Sequence, residues 1–494
     1  MRKYFRSNHK RMTAMVMAGV MTCTLPLAGC SNVKEPVGTT APETVADPET
    51  GAPTVPDGTV APTKAVPEVT AADPVAGERT GDEAAPIINS EKDIPREMVD
   101  YSRRMGDAAY DEAPAAYSAR SDSAPGSVAP APVEVEDRKI SDDQIGVLTA
   151  GRWNDNANWG FFKNLVTTEK IAFPAYDLDP VSRSAVTVKN ESGAAVEGLK
   201  VEAVYSDDNT VIWSGVSNKE GTAYLFLPTS ADRTWKVRVY DAAGNVVYTG
   251  AEDYALPGKK EEGVPDNQSR TTGHPEEVSL TIDTASKTYT NTQVMFILDT
   301  TGSMGDELTY LQADFGKIME RVTASDVNYS WNFYRDEGDE YVTRTNGFET
   351  DVNVLKKLLY NETAAGGGDT PEAVAEILTE TMNSKDWNAD SKKIAFLIFD
   401  APPHAEKAAV VAAAVAKAAE QGIRVVPIVA SNADRHTELF GRALAIMTDG
   451  EYVFLTDDSG VGDSHLEPII GDYEVQKLGD IIVDIINEFA VKAE

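Results

Sequence analysis

The hydrophobic positions between residues 291 and 494 follow two different periods in turn. Residues 294–298 are continuously apolar and end at Asp299, which is typical of a strand buried on both faces of a parallel sheet. Residues 307–323 then have the amphipathic period of a helix. Further segments alternate in the same way, with strand patterns at 329–334, 394–400, 424–430 and 452–455 and helix patterns near 352–359, 372–383, 405–421, 437–447 and from 475. This order predicts a doubly wound α/β domain over residues 291–494.

Residues 184–290 have the two-residue alternation of short, half-buried strands. Apolar residues fill alternate positions in two runs, namely Leu199, Val201, Ala203 and Tyr205, and then Trp235, Val237 and Val239. Turn signals that contain glycine separate the runs at 191–193, 219–221 and 243–245. The pattern predicts a small antiparallel β-sandwich. The runs VTVKNESGAAVEGLKVEAV and SNKEGTAYLFLP resemble the Ig-like and carboxypeptidase-regulatory-like spacer modules of surface proteins.

A cluster of aromatic residues precedes the predicted sandwich, in the segment 137–183. Its members are Trp153, Trp159, Phe161 and Phe162. Side chains of this size have to be buried, so we expect a helical or irregular segment that packs on the next domain.

The preceding stretch has too few large apolar residues to form a core. Residues 31–140 contain no Leu, Phe or Trp but hold 14 of the 26 prolines. Burial in such a sequence cannot offset the entropy of the ordered chain. We therefore predict a disordered spacer rich in Pro, Ala, Thr and Glu over residues 30–136, which would hold a folded head at a distance from a membrane.

The first 29 residues have the layout of a signal peptide. Five basic residues within residues 1–12 precede an uncharged, largely apolar run at 13–29, which is shorter than a membrane-spanning helix requires. The run ends in Leu27-Ala28-Gly29-Cys30, which resembles the lipobox of bacterial lipoproteins. That resemblance implies that Cys30 carries a lipid and that the protein is anchored to the extracytoplasmic face of a cell membrane. The alternative is an ordinary secretion signal or an uncleaved anchor with a cysteine at that position by chance.

Composition and charge exclude several classes of function. The 45 basic and 79 acidic residues give a formal net charge of −34, which argues against nucleic acid as a partner because phosphate binding needs basic patches. Five histidines and two cysteines are too few for a zinc finger, an iron–sulfur site or a disulfide framework.

Three loops of the predicted α/β domain carry oxygen-bearing side chains. Asp299, Thr301 and Ser303 follow the first strand, Thr370 follows a run of glycines, and Asp400 ends a later strand. In this order and spacing the region resembles the von Willebrand factor A domain family. The family's metal-ion-dependent adhesion site combines an Asp-x-Ser/Thr-x-Ser loop, a threonine and an aspartate.

Hydroxyl and carboxylate oxygens are hard ligands that suit Mg²⁺ or Mn²⁺ rather than Zn²⁺. The predicted cofactor is therefore Mg²⁺, with Mn²⁺ or Ca²⁺ as alternatives. The resemblance implies that the bound ion accepts an acidic side chain from a partner protein, as in adhesion proteins. The alternative is a domain of the same fold in which these residues only cap helices and form turns, since Thr370 before Pro371 is also a favourable helix N-cap.

Three functions remain open at this point. The first is a lipid-anchored adhesion or binding protein of the cell surface, and the second is a scaffold of an envelope complex with no extracellular ligand. The third is a hydrolase with Ser303 as nucleophile and with His404 and Asp400 as its partners. The sequence TTGSM around Ser303 is not the G-x-S-x-G elbow of such enzymes, so we expect no enzymatic activity.

Overall fold

The computed structural model of the chain describes residues 148–168, 170–173, 175–230, 232–258, 274–368, 370–459 and 464–491. The predicted signal peptide, Cys30 and the predicted spacer lie outside these ranges and stay predictions. Within them, no helix combines the length and the apolar character needed to cross a membrane.

The described elements alternate between strands and helices after residue 290, and strands predominate before it. The strands are β1 (Thr149–Trp153), β2 (Arg183–Lys189), β3 (Lys200–Tyr205), β4 (Val211–Val216), β5 (Thr222–Phe226), β6 (Thr234–Tyr240), β7 (Val246–Thr249), β8 (Tyr254–Ala255), β9 (Glu277–Thr281), β10 (Asn291–Asp299), β11 (Val327–Tyr334), β12 (Thr343–Arg344), β13 (Ser391–Phe399), β14 (Ile423–Val429), β15 (Tyr452–Thr456) and β16 (Gln476–Lys477). The helices are α1 (Trp159–Thr167), α2 (Gly305–Arg321), α3 (Val352–Tyr360), α4 (Val374–Met382), α5 (Ala408–Gln421), α6 (Arg435–Met447) and α7 (Leu478–Phe489).

The larger part of the structure is built on one eight-stranded sheet. Its strand order is β12-β11-β10-β13-β14-β15-β1-β16. The five strands from β11 to β15 in this order run parallel, and β12, β1 and β16 pair antiparallel at the two edges. The doubly wound α/β fold predicted from the hydrophobic pattern is confirmed.

Both faces of this sheet are covered by helices. Helices α2, α3 and α7 bury one face, where Phe296 of β10 lies between Trp331 and Phe396 of the neighbouring strands. Helices α1, α4, α5 and α6 cover the other face. This two-sided burial explains why β10 and β13 are almost continuously apolar.

Two smaller sheets form the β-sandwich, with strand orders β5-β2-β9 and β4-β3-β6-β7 and with β8 paired to β6. Both sheets contribute to one apolar core around the fully buried Trp235. The expectation of an entirely antiparallel sandwich is wrong at one pair, because β9 lies parallel to β2. Strands β3 to β8 lie between β2 and β9 in the chain, so no tight hairpin fixes the direction of this pair and parallel pairing is possible.

The aromatic segment before the sandwich differs from the sequence expectation. It contains helix α1, as predicted, but it also contains strand β1, which pairs with β15 and extends the α/β sheet. The sequence does not predict β1, because five residues are too few to show a reliable two-residue period. The pairing also joins residues that are about 300 positions apart, such as Ala150 and Leu455. Gly151 is required here, since a Cβ at that position would lie 2.4 Å from the ring of Phe454.

Candidate metal centre

The first loop begins where β10 ends, at Asp299. The Oδ1 atom of Asp299 accepts hydrogen bonds from the main-chain nitrogen of Thr301 at 2.8 Å and from its hydroxyl at 2.7 Å. The side chain thus closes a tight turn in which aspartate mimics a backbone turn. The Thr301 Oγ1 atom lies 3.4 Å from Ser303 Oγ. The loop therefore places one buried carboxylate beside two neighbouring hydroxyls.

The third loop begins at the end of β13, the strand next to β10. Leu298 and Ile398 are direct partners in this parallel pair, so Asp299 and Asp400 reach the same edge of the sheet. Asp299 is fully buried and Asp400 is 7% exposed. Open α/β sheets bind ligands at this edge, beyond the carboxyl ends of their strands.

Each of these two carboxylates has one buried oxygen without a hydrogen-bond partner among the described residues. The atoms are Asp299 Oδ2 and Asp400 Oδ1, and the buried Tyr334 hydroxyl lies near Asp299 but does not have hydrogen-bond geometry to it. Buried carboxylate oxygens without partners are costly and rare in folded proteins. Together with the hydroxyls of Thr301 and Ser303, they form an oxygen donor set that suits a hard divalent cation.

Burial and a nearby negative charge raise the pKa of both groups, the charge being that of Asp400 for Asp299 and that of Glu307 for Asp400. Burial, followed by the charge of Asp400, raises the pKa of Asp299 to about 7. Burial also raises the pKa of Asp400 to about 6, an effect that the nearby Ser303 hydroxyl opposes. A divalent cation between the two would favour the charged forms and reverse both shifts.

The second loop is held against the first by its main chain. The Gly302 nitrogen donates to the Gly366 oxygen at 3.2 Å, and the Ala365 nitrogen donates to the Thr300 oxygen at 3.0 Å. Gly367 has a φ of +68°, and a Cβ there would lie 3.2 Å from Thr301 Cβ, so glycine allows the close approach. Thr370 lies at the end of this loop and is exposed. Among the described residues, its hydroxyl makes no hydrogen bond to the other four predicted ligands.

Comparison with known proteins agrees with this geometry. Residues 293–462 match the family model of the von Willebrand factor A domain. The chain contains a von Willebrand factor A domain. All five predicted ligands lie within the matched residues.

Two further proteins show similarity of limited extent. Over 110 residues the chain is 31% identical to an ariadne-like RING finger protein of Acanthamoeba polyphaga mimivirus, a match that covers 22% of this chain. The match spans only 11% of the viral protein. The crystal structure of the conserved hypothetical protein BatB from Bacteroides thetaiotaomicron matches 40% of this chain and 98% of its own, at 16% identity and a TM-score of 0.30.

Glu372 of the von Willebrand factor A domain is a site residue that the sequence did not reveal. It is 3% exposed, and its Oε2 atom has no partner among the described residues. Burial, followed by the charge of Asp299, raises its pKa to about 9. The sequence places Glu372 only two residues after the predicted ligand Thr370, which indicates that it lies near the site. Its burial was not expected, because glutamate side chains usually face solvent.

Glu307 is a second acidic residue that sequence reasoning missed. It lies in the first turn of α2, is 2% exposed, and accepts a hydrogen bond from the Ser431 nitrogen at 3.1 Å through Oε1. Its Oε2 atom has no partner in the part of the chain that the structure describes. Its place on the apolar side of α2, directly before Leu308, was the signal in the sequence.

His404 is paired with an acid outside the predicted ligand set. Its Nε2 atom lies 2.8 Å from Asp336 Oδ1, and this hydrogen bond raises the pKa of His404 against the opposing effect of burial. This ring nitrogen is thus bonded to Asp336 rather than to Ser303 or Asp400.

Within the described ranges, no three His, Cys, Asp or Glu side chains form a group that could hold a metal ion. Three of the five predicted ligands in the von Willebrand factor A domain are hydroxyl residues. Metal binding at this edge would therefore depend on serine and threonine oxygens as much as on the two carboxylates.

Proposed function

We propose that this protein binds a partner protein through a divalent metal ion at the carboxyl edge of the α/β sheet. Von Willebrand factor A domains in general have interaction or adhesion roles, and the proposal adds a mechanism to that general role. The proposed ligands are Asp299, Thr301, Ser303, Thr370 and Asp400. The proposed ion is Mg²⁺, with Mn²⁺ and Ca²⁺ as alternatives.

The observation that carries the proposal is the pair of buried, unpartnered carboxylate oxygens at Asp299 and Asp400. Two such groups at one strand edge are destabilising in their charged forms unless a cation compensates them. A bound Mg²⁺ would provide a coordination position for a carboxylate of the partner. Thr301 and Ser303 would contribute neutral oxygens, so the ion would retain positive charge towards the partner.

The charge of the whole protein restricts how a partner is recognised. With a formal net charge of −34, the protein repels acidic surfaces at long range. A partner carboxylate would therefore be attracted only at short range, at the ion itself. We expect association that is slow at low ionic strength and faster when salt screens the repulsion.

The proposed location is the extracytoplasmic face of a cell membrane, with Cys30 as the lipid attachment site. The lipobox-like sequence before Cys30 and the proline-rich composition of residues 30–136 support this proposal. Two or more acyl chains on one cysteine give stable membrane anchoring. The spacer would then separate the metal centre from the membrane.

A capture experiment distinguishes metal-dependent binding from a purely structural role. The immobilised protein is incubated with purified envelope or host surface proteins in Mg²⁺ and in EDTA. We expect capture in Mg²⁺, loss of capture in EDTA, and loss in the Asp299→Asn variant. Glu320→Gln, which removes one exposed charge from α2, is the matched control and should bind like the unmodified protein. Capture that is equal in EDTA and in Mg²⁺ would favour the scaffold function instead.

The hydrolase alternative has less support. Von Willebrand factor A domains are typically interaction domains rather than enzymes. A serine nucleophile needs a base within hydrogen-bond reach, and the Nε2 atom of His404 is bonded to Asp336.

A further inference from the structure

A cavity of about 550 Å³ lies between the β-sandwich and the α/β sheet. Its lining includes Gly215 and Val216 of β4 on one side and the first residues of β13 and β14 on the other. It therefore lies at the amino ends of these parallel strands, whereas Asp299 and Asp400 lie at the carboxyl edge. Its volume is within the range of pockets that hold small organic ligands.

Lys393 of β13 lines this cavity and is only 8% exposed. Its Nζ atom donates to the main-chain oxygen of Gln421 at 3.1 Å, and the described residues provide no carboxylate within ion-pair distance of it. Burial, followed by the charge of Lys287, lowers the pKa of Lys393 to about 8. The charge of Asp390 opposes this shift only in part. A buried ammonium group with a second lysine nearby and no carboxylate in direct contact is an unfavourable arrangement that an anion would relieve.

The other cations of the cavity already have partners. Lys392 pairs with Glu197 at 2.7 Å, and Arg424 pairs with Asp449 at 2.6 Å. These pairs use two acidic residues of the lining, and no carboxylate among the described residues forms an ion pair with Lys393. The charge of Lys393 is thus available to a ligand.

The rest of the lining mixes charged and polar side chains with aromatic rings and aliphatic groups. Tyr224, Tyr289, Trp387 and Phe489 contribute rings to it. A ligand that occupies the space would therefore present apolar surface as well as charge. A free inorganic ion would use only a small part of the volume.

We infer that this cavity binds a small organic anion, whose single negative charge pairs with Lys393 and whose aromatic or aliphatic body lies against the rings. The site is separate from the proposed metal centre and does not depend on it. Because its walls come from both the β-sandwich and the α/β domain, a bound ligand would also stabilise their contact.

The fluorescent organic anion 8-anilinonaphthalene-1-sulfonate is a suitable probe, because its emission rises when its rings leave water. We expect saturable binding of one probe molecule per folded chain. Lys393→Met keeps the length and apolar stem of the side chain, and we expect it to weaken binding at least tenfold. Lys385→Met is the matched control, since it removes an exposed lysine outside the lining, and it should bind the probe like the unmodified protein.

The chemistry of the ligand is tested by competition. Benzoate should displace the probe, and benzamide, which has nearly the same shape without the charge, should do so at least tenfold less effectively. Thermal unfolding of Lys393→Met verifies its fold, and Lys287→Met gives a second variant that should weaken binding about threefold. Equal probe binding by Lys393→Met and Lys385→Met, equal displacement by benzoate and benzamide, or absence of saturable binding would each overturn the inference.

Discussion

Asp299 and Asp400 make the metal-free protein sensitive to pH. Both have pKa values above the ordinary aspartate value, at about 7 and about 6. Between pH 4 and 7 the folded state therefore holds more protons on these groups than the unfolded state does. The free energy of unfolding consequently falls as the pH rises through this window.

We predict that this loss of stability is on the order of 2 kcal/mol between pH 5 and 8 in EDTA. Urea unfolding of the unmodified protein and of Asp299→Asn at pH 5, 6.5 and 8 measures the free energy of unfolding of each. Subtracting the two values at each pH removes the contributions of the other titrating groups. The variant should lose less stability than the unmodified protein over this range. Mg²⁺ should stabilise the unmodified protein more strongly at pH 8 than at pH 5, because protons compete with the ion. A difference between the two proteins that is independent of pH would contradict the assignment.

Local sequence pattern predicts some residues of the candidate site, whereas others come to the site only through long-range packing. Asp299 and Asp400 are marked by local pattern, since each ends an apolar strand run. The local signals at Glu307 and Glu372 do not by themselves show burial, because their burial arises from the packing of α2 and of the second loop against other loops. Strand β1 was missed for a related reason, since its pairing with β15 is a long-range contact.

At the scale of elements, the end of α5 fixes the contact between the β-sandwich and the α/β domain. Gly422 follows this helix with a φ of +66°, and a Cβ there would lie 3.2 Å from Val216 of β4. Glycine is therefore favoured at position 422 for two reasons: the backbone there is left-handed, and Val216 leaves little space for a Cβ atom.

We predict that Gly422→Ala lowers the free energy of unfolding by about 2 kcal/mol, of which about 1 kcal/mol comes from the left-handed backbone. The control is Gly244→Ala, because Gly244 has a φ of +84° but no heavy atom within 4 Å of the added Cβ. It should lose only the backbone contribution. Equal losses in the two variants, measured by urea unfolding, would show that the contact with Val216 has no energetic weight.

A buried ion pair attaches the β1–α1 segment to α6. The Arg442 guanidinium donates to both oxygens of Asp155, at 2.7 and 2.9 Å, and both side chains are almost fully buried. Glu438 provides a second carboxylate to the same arginine at 3.3 Å. Loss of Asp155 would leave a buried charge only partly compensated.

We predict that Asp155→Ala lowers the free energy of unfolding by about 3 kcal/mol. Arg152→Ala removes a partly exposed arginine of the same segment, which pairs with Glu488 at 3.0 Å and more weakly with Glu451 at 3.8 Å, and it should cost about 1 kcal/mol. Chemical denaturation of the two variants compares them directly. A cost for Asp155→Ala as small as that for Arg152→Ala would mean that the segment is held by apolar packing alone.

At the scale of the whole molecule, the proposed lipid anchor is testable through the two cysteines. We predict that Cys30→Ser releases the protein from the membrane fraction of the producing cells into the soluble fraction or the medium. Cys23→Ser, which changes the other cysteine of the chain within the predicted signal peptide, should leave the protein in the membrane fraction. A Cys30→Ser protein that remains with the membranes would contradict lipid attachment at this residue.

The measurement that tests the proposed metal centre most directly is a calorimetric titration of Mg²⁺ into the metal-free protein at pH 7.5. We predict one binding site in the unmodified protein and in Glu320→Gln. We predict no measurable binding in Asp299→Asn, which keeps the oxygen that accepts from Thr301 but removes the negative charge. Equal binding by Asp299→Asn and the unmodified protein, or no binding by either, would contradict a metal centre at Asp299 and Asp400.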